Sequence, residues 1–576
     1  MEHLRRGRQR IRHVQPYGSQ PYDAEQRHEP GPSNIAGAIN AVGKVFLVNP
    51  NGIVFNNTAR VNVGSLVAST HATDPTGFFN NTSGVFNFDA LTGQNNMVTN
   101  LGRITSNSGG DIVLLGHRTR NGGNIQTNGG SVALGGAGSF TLRLGNGPLS
   151  LSANTSGMFA DAQNTATGTI QANGGQALLM ARDSQPASPL QAVVNNAGLI
   201  EAGTLQARQG RIVLDGGSGT VQAGYRMSAS ALGTYGDGGS VSIRGGHVSV
   251  LAGAQVDTRA SNGNTGTLDI RGDALKVSES AAITGNLLAS TLANALNTTN
   301  VSLASNAGDV EVNAPISWSS GHALTLDASH GGGGKVVVNG ALTASGAGTA
   351  LNLSADRLID ISQRITLSGV SNQIHLRTTQ SGTPGLAPTA NYVLSGPAGQ
   401  AAISLSGANP LFTSNGLRHV VIQNLAQLNA VNGNLSGYYV LGSDIRGAGT
   451  VQSIGAGQGG FKGLFDGLGN KLVNLTVQNP DSVAGLFSES TGTLRNLILD
   501  NVPGTGTQHM YTGTLTYRNM GTISNVHVVN AGAAAPTPRT ARWAAWSVST
   551  TAAPLSDPAT RAASTPRRKP MSREGW

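Results

Sequence analysis

Gly102-Arg-Ile104-Thr-Ser-Asn-Ser-Gly-Gly-Asp-Ile112-Val-Leu114 is the stretch on which the fold turns. A glycine, one variable residue and an aliphatic lead into a turn of small polar residues, then a second glycine and an alternating strand. The pattern recurs as Gly123-Asn-Ile125-Gln-Thr-Asn-Gly-Gly-Ser-Val132-Ala-Leu134 and as Gly168-Thr-Ile170-Gln-Ala-Asn-Gly-Gly-Gln-Ala177-Leu178. A related form is Gly198-Leu-Ile200-Glu-Ala-Gly203, followed by Arg211-Ile212-Val-Leu-Asp215 and Gly219-Thr-Val221-Gln-Ala-Gly224. Ile104 and Ile125 are 21 residues apart, as are Ile200 and Val221. A period near 20 with two or three strands in each repeat is what one turn of a β-solenoid requires. Aliphatics alternate inward and polar residues outward, with Gly or Asn at the corners. One turn cannot bury its own apolar face, so stability comes from stacking on its neighbours. The 45-residue step from Ile125 to Ile170 implies loops or extra turns. The reading is an all-β, right-handed parallel β-helix; a β-sandwich is the competing architecture.

Composition agrees. Glycine supplies 81 of 576 residues, charged residues 11% and aromatics 4%. Each glycine inside a helix costs about 1 kcal/mol relative to alanine, whereas Gly, Asn, Thr, Ser and Val suit short strands and tight turns. The formal charge of +9 does not signal a nucleic-acid partner. Residues 1–32 hold 6 Lys/Arg against 4 Asp/Glu and residues 531–576 hold 7 against 2, leaving 24 against 22 in between. That nearly neutral middle offers phosphates no basic stripe. There is no cysteine, hence no disulfide framework and no thiolate metal site. No apolar run reaches the roughly 18 residues that span a bilayer. The start, Met1-Glu2-His3-Leu4-Arg5-Arg6, has no apolar stretch behind it and does not read as a secretory signal.

A second repeat begins near Tyr438. Lys471-Leu-Val-Asn474-Leu-Thr-Val-Gln-Asn479 resembles Thr493-Leu-Arg-Asn496-Leu-Ile-Leu-Asp-Asn501 and Thr522-Ile-Ser-Asn525-Val-His-Val-Val-Asn530, with steps of 22 and 29 between the central asparagines. Each reads as a strand followed by an Asn corner. Residues 1–32 and 531–576 show no such alternation and are expected to be disordered, the first aberrant and the second a basic tail.

The segment Gly43-Lys-Val-Phe-Leu-Val-Asn49-Pro50-Asn51-Gly52-Ile53-Val-Phe55, continued by Val63-Gly-Ser-Leu-Val-Ala-Ser-Thr70, resembles the two-partner secretion domain of filamentous-haemagglutinin-type exoproteins. Asn49, Pro50, Asn51, Gly52 and Ile53 match its secretion motif; physically they are a tight turn between two apolar strands. Tyr439-Val-Leu-Gly-Ser-Asp444-Ile445, Gly463-Leu-Phe-Asp466-Gly-Leu-Gly-Asn470 and Gly485-Leu-Phe487 are similar to the GLUG motif of bacterial exoproteins. The resemblance implies an adhesin-like exoprotein and a secretion domain read by an outer-membrane transporter barrel with periplasmic domains. It also implies secretion to the surface of a Gram-negative cell and a host-cell receptor or glycan as further partner. It divides the chain into an aberrant segment 1–32, a secretion (haemagglutination-activity) domain 33–225, a β-helix repeat region 226–436, a GLUG-like region 437–530 and a tail 531–576. Family members carry capping strands where residues 1–32 hold six Lys/Arg and three His. The expectation is therefore a chain truncated or frame-disrupted at both ends, with an unpaired edge on its first coil. A non-functional gene remnant is one alternative.

Catalytic chemistry is not expected. Gly455-Ala-Gly457-Gln-Gly-Gly460 fits a dinucleotide fingerprint in letters, but no helix pattern follows it. Arg271-Gly272-Asp273 matches a cell-attachment tripeptide, against the blander reading of a solenoid turn. Asp309 and Glu311 could share one strand face, with Asp356 and Asp360 as a weaker pair, as in polysaccharide lyases built on the same fold; no arginine or metal cluster accompanies either pair. Such a lyase or glycosidase is the rival function. The 12 histidines lack metal-ligand spacing, and no cofactor or metal is expected.

Overall fold

The computed structural model describes residues 22–26, 31–73, 83–91, 96–144, 149–155, 159–182, 192–205, 208–280, 286–380, 389–479, 483–505 and 511–530. Three strands make one coil. Lys44–Val48 lies on one face (A), Ile53–Phe55 on a second (B) and Arg60–Val63 on a third (C); Ser65–Ser69 then returns to face A, parallel to Lys44–Val48. Repetition of this circuit builds a parallel β-helix. On face A the inward column runs Val45, Leu66, Ile112, Val132, Ala177, Ile212, Val241 and Leu268, each the register partner of the next. It continues through Val301, Leu324, Leu351 and Ile374 to Phe412. Every member is buried. A buried Val, Leu or Ile is stabilising by about 1.5–3 kcal/mol, and each coil gains it only when the next coil covers it.

The recurrent glycines follow from rung-on-rung contact. A Cβ on Gly110 would stand 1.7 Å from the Gly64 carbonyl oxygen, and one on Gly130 2.0 Å from that of Gly110. These positions open the strands of face A, so the glycine immediately before the strand is a steric requirement, while Gly109 and Gly129 ahead of it take positive φ.

On face C, Ile104, Ile125, Ile170 and Ile200 form one column. Val221 is not its next member. It stacks on Val194 in face B, and Ile200 meets Met227, 27 residues on. The loop after Glu201 lengthens this coil, so 21 residues fall one face short. The 45-residue step is a single coil carrying an excursion. Val85–Asp89, Ser139–Arg143 and Ser150–Asn154 form a three-stranded antiparallel sheet outside the helix. Its Phe86, Phe88, Phe140, Leu142 and Leu151 cover Phe46, Val67, Val113 and Leu115 on the outer side of face A. Ser65–Ser69 and Ile112–Gly116 are consequently buried at every position and lose their alternation.

Residues Tyr22–Gln26 form a strand parallel to Lys44–Val48, with Tyr22 opposite Lys44 and Gln26 opposite Val48. This corrects the expectation that all of 1–32 is disordered and that the first rung of face A is unpaired. A covering strand needs backbone donors and acceptors rather than apolar alternation, so composition hid it. Residues 1–21, 27–30 and the tail 531–576 lie outside the described residues.

Face C stops at Gln255–Asp257 and resumes as a separate sheet of Ile316–Trp318, Leu342–Ala344, Ile365–Leu367 and Ile403–Leu405. The helix Ala289–Leu296 fills the gap, burying Leu292, Ala295 and Leu296. Among the described residues no helix is long and apolar enough to cross a membrane.

The stack ends in a reversal. Leu411–Ser414 and Leu417–Ile422 are antiparallel, joined by Asn415 and Gly416 with φ of 48° and 80°, the two positive values a tight primed hairpin turn demands. A second parallel stack follows with its own core, centred on Phe461, Phe465, Phe487 and Leu494. Its repeat differs from the expected one. Leu472 pairs with Leu499 and Leu494 with Ile523, which sets Asn474 against Asn501 and Asn496 against Asn525. Those steps are 27 and 29 residues; the 22-residue step joined corners that are not equivalent, because a coil here has two such corners, Asn496 and Asn501 in one and Asn525 and Asn530 in the next. The four paired asparagines take left-handed backbone, with φ between 51° and 55° at Asn474, Asn496 and Asn501 and 49° at Asn525.

Candidate functional site

Asn49 through Ile53 make the corner between face A and face B. Asn49, Pro50, Gly52 and Ile53 are buried and Asn51 is half-buried. The Asn49 carboxamide works in both directions. Its Oδ1 accepts the Asn51 amide at 2.9 Å, closing the turn, while its Nδ2 donates to the Gly31 carbonyl at 3.1 Å and to Ser33 Oγ at 2.9 Å. The Asn49 carbonyl accepts the Gly52 amide at 3.1 Å, and Gly52 has a φ of 117°. Asn96, from the next face-B rung, donates to the Pro50 carbonyl. The motif is thus gripped from the coil before and the coil after, and it presents almost no side chain outward. Ile53 and Phe55 point into the core with no exposure.

The Arg271-Gly272-Asp273 tripeptide is not gathered on one loop. Arg271 and Gly272 end the strand Thr267–Gly272, where Arg271 lies between Arg244 and Ala304 on the outer side of face A. Its guanidinium reaches His330 Nε2 at 3.3 Å. Asp273 is exposed at the following corner, where its carbonyl accepts the Gly308 amide at 2.7 Å and Ser305 Oγ at 2.7 Å.

The carboxylate pairs do not converge. Asp309 Oδ1 accepts the Lys335 amide at 2.8 Å, a rung-to-rung staple. Glu311 contacts Lys276 at 3.0 Å and Asn313 at 3.0 Å. Burial opposes its ionisation, but those two donors hold the carboxyl below the usual range. Asp356 accepts the Gly331 and Gly333 amides at 3.0 and 3.1 Å. Burial raises its pKa, and Thr379 together with those amides brings the group below the ordinary carboxylate value. Asp360 is held by Ser395. Each acid closes a turn or joins two rungs. Among the described residues no group of three or more His, Asp or Glu side chains could hold a metal ion. Gly455–Gly460 is a turn; it runs into a bridge at Phe461 and not into a helix.

Two arrangements escaped the sequence reading. Asn100, Asn121, Asn164 and Asn196 form a wholly buried ladder at the corner before face C: each Nδ2 donates to the Oδ1 above at 2.8–2.9 Å, and Asn196 ends on the Gly224 carbonyl at 3.0 Å. The signal was an Asn two to four residues ahead of each Gly-x-Ile. The other arrangement lies where the second stack meets the first. Asp466 accepts Arg495 Nε at 2.6 Å, Asn496 Nδ2 at 3.0 Å and the Tyr392 hydroxyl. The Arg495 guanidinium lies 4.9 Å over the Tyr392 ring. Burial first, and then the Asp466 charge, raises the Tyr392 phenol well above its usual value. Distance in sequence hid this cluster, since Tyr392 and Arg495 sit on different stacks.

The buried Asn49–Ile53 corner and the extra-helical sheet both lie in the part of the chain that a known family model covers. Residues 28–243 match the family model of the TPS secretion domain, the domain of two-partner secretion exoproteins. Among solved structures, the chain is similar to the HMW1 secretion domain from Haemophilus influenzae, at 18% identity and a TM-score of 0.33, over 66% of this chain and 86% of that one. No curated protein matches it.

Proposed function

We propose that the chain is a non-catalytic attachment or aggregation rod, displayed at the surface of a Gram-negative cell after passage through an outer-membrane barrel. The observation that carries this reading is the joining of a matched secretion domain over residues 28–243 to a stack whose face A column runs on unbroken to Phe412. In this reading residues 33–225 are the export address, 226–436 the rod and 437–530 a GLUG-like terminal stack. The periplasmic domains of the barrel read Asn49–Ile53 in the unfolded chain, because folding buries the motif. Burial of successive rungs outside the cell then favours onward movement. Co-expression with such a barrel should release or display the chain, and Asn49→Ala should cut display about tenfold or more. If display of the chain adds neither attachment to host cells or glycan surfaces nor clumping, the adhesin reading fails. A chain that stays in the cytoplasm beside a working barrel would instead support the gene-remnant alternative.

Asp273 is the exposed member of the tripeptide, and a cell-attachment role for Arg271-Gly272-Asp273 predicts that Asp273→Glu abolishes binding of displaying bacteria to cultured cells. The rival lyase reading predicts release of reducing ends from pectin-like glycans and its loss in Asp309→Asn. The staple geometry of Asp309 favours the non-catalytic reading.

A further inference from the structure

Both excursions that build the extra-helical sheet leave the coil at one corner, and two histidines are buried there. His71 follows Ser65–Ser69 and His117 follows Ile112–Gly116, strands on adjacent rungs, so the imidazoles lie one above the other with centroids 5.0 Å apart. His71 has no exposure and His117 has 5%. Phe140, in the middle strand of the extra-helical sheet, packs on His71 at 5.2 Å. His71 Nε2 stands 2.9 Å from the carbonyl oxygen of Ala137, just before that strand begins. The root of the first excursion is tied at the same place. Ala72 and Asp89 exchange both backbone hydrogen bonds, at 2.9 and 2.8 Å, and the Ala90 amide donates to the Gly138 carbonyl at 3.1 Å.

This geometry suits neutral rings. With Nε2–H donating to Ala137, Nδ1 is left as an acceptor whose neighbour is the Thr70 hydroxyl at 3.4 Å. A second proton would be buried beside another imidazole with, among the described residues, no carboxylate free to pair it. Asp161 is already engaged by Arg118 at 3.2 Å and Gln163 at 3.0 Å. Asp89, on the first strand of the extra-helical sheet, is exposed to solvent.

We propose that His71 and His117 form an acid-sensitive latch at the root of the extra-helical sheet. Protonation of the pair releases that sheet and uncovers the apolar outer side of face A, lined by Phe46, Val67, Val113 and Leu115. Burial lowers His71 from 6.5 to about 4, with the adjoining His117 adding to the shift, and burial lowers His117 as well. A histidine held below its unfolded value gives full stability above pH 6.5, and that stability is lost as pH falls toward 4. The other buried acids at this end act in the opposite sense. Burial raises Asp111 and Asp161, so acidification favours the folded state through them.

Hydrogen exchange on the full chain tests the latch. Between pH 6.5 and 4, exchange corrected for intrinsic rates should rise about tenfold or more at the amides of Phe86, Phe88, Phe140 and Leu142, and stay flat at Leu326 and Leu353. A hydrophobic dye should bind over the same range. His71→Gln keeps a donor for Ala137 and loses the titration, so it should hold the sheet closed at pH 4.5; His247→Gln, an exposed histidine on face B, should leave the transition in place. Should His71→Gln fail to fold, His117→Gln must by itself move the midpoint to lower pH. Sheet amides that remain protected at pH 4 in the unsubstituted protein, or an unchanged midpoint in the folded variant, would overturn the proposal.

Discussion

The two stacks share an interior and differ in what lies outside it. In both, a column of glycines lets one rung touch the next. A Cβ on Gly130 would stand 2.0 Å from the Gly110 carbonyl oxygen in the first stack, and one on Gly463 2.0 Å from the Gly437 carbonyl oxygen in the second. Both also fill the interior with aliphatics, joined in the second by a phenylalanine cluster. Outside, they part. The outer side of face A in the early coils of the first stack is covered by a sheet whose packed side is Phe and Leu. The equivalent side of the second stack is pressed against the end of the first, where Val440 and Leu468 join the first core and Asp466, Arg495 and Tyr392 form a buried charged cluster. Stacking geometry sets the inside of a coil and leaves little choice. The outer face carries the specificity, here for a covering sheet in one stack and for a docking partner in the other.

The largest effect should come from breaking the charged junction. Arg495→Met leaves Asp466 buried without its cation, a loss of about 3–5 kcal/mol. Denaturant unfolding should then show the second stack melting separately while the first keeps its own transition. A single transition shifted as a whole would mean that the stacks are not distinguished by their outer faces. Next comes the shared interior. Gly130→Ala should cost about 3 kcal/mol, since the new methyl meets backbone and not a flexible side chain. Gly463→Ala should cost a similar amount in the second stack. Unequal costs would refute the claim of a common interior.

Much of that interior was legible. The Gly-x-Ile and Gly-Gly patterns mark corners with a steric reason, and the Ile104–Ile125 spacing is one coil. Spacing misled where loop length changed, as at Ile200 and Val221, and where one coil carried two similar corners, as at Asn474 and Asn496. The extra-helical sheet was hidden because Val85-Phe-Asn-Phe-Asp89 alternates like any coil strand. The trace it left was elsewhere, in Ile112-Val-Leu-Leu115, whose four consecutive apolar residues require burial on both sides. Asn49–Ile53 could be read as a turn, but its burial depends on Ser33 and Asn96, partners outside any local window.

A smaller effect separates two kinds of polar corner. Asn121→Ala removes the middle of the buried ladder and strands the Asn164 Oδ1 acceptor and the Asn100 donor, for about 1–3 kcal/mol in the first stack. Asn501→Ala, in a partly open ladder whose Asn501 Nδ2 donates to Asn474 Oδ1 at 2.8 Å, loses an exposed hydrogen bond and a residue suited to left-handed backbone, for about 1 kcal/mol. Thermal unfolding of the two variants should rank them in that order; the reverse order would place more of the corner energy in backbone strain than in buried hydrogen bonds.

The smallest effect tests whether surface charge matters to the rod at all. Lys276 and Glu311 face each other on neighbouring rungs of face B at 3.0 Å, with side chains 49% and 31% exposed. An ion pair so open to water is worth less than about 1 kcal/mol, and salt screens it further. Glu311 is held below the usual carboxylate range by Asn313 and Lys276, so its contribution is present at neutral pH and disappears as acid protonates it. Glu311→Gln should therefore change the unfolding midpoint by no more than the unsubstituted protein loses on raising the salt, and should leave attachment intact. A large loss of stability or of surface binding in this variant would move specificity onto face B, away from the covered outer sides to which the two stacks assign it.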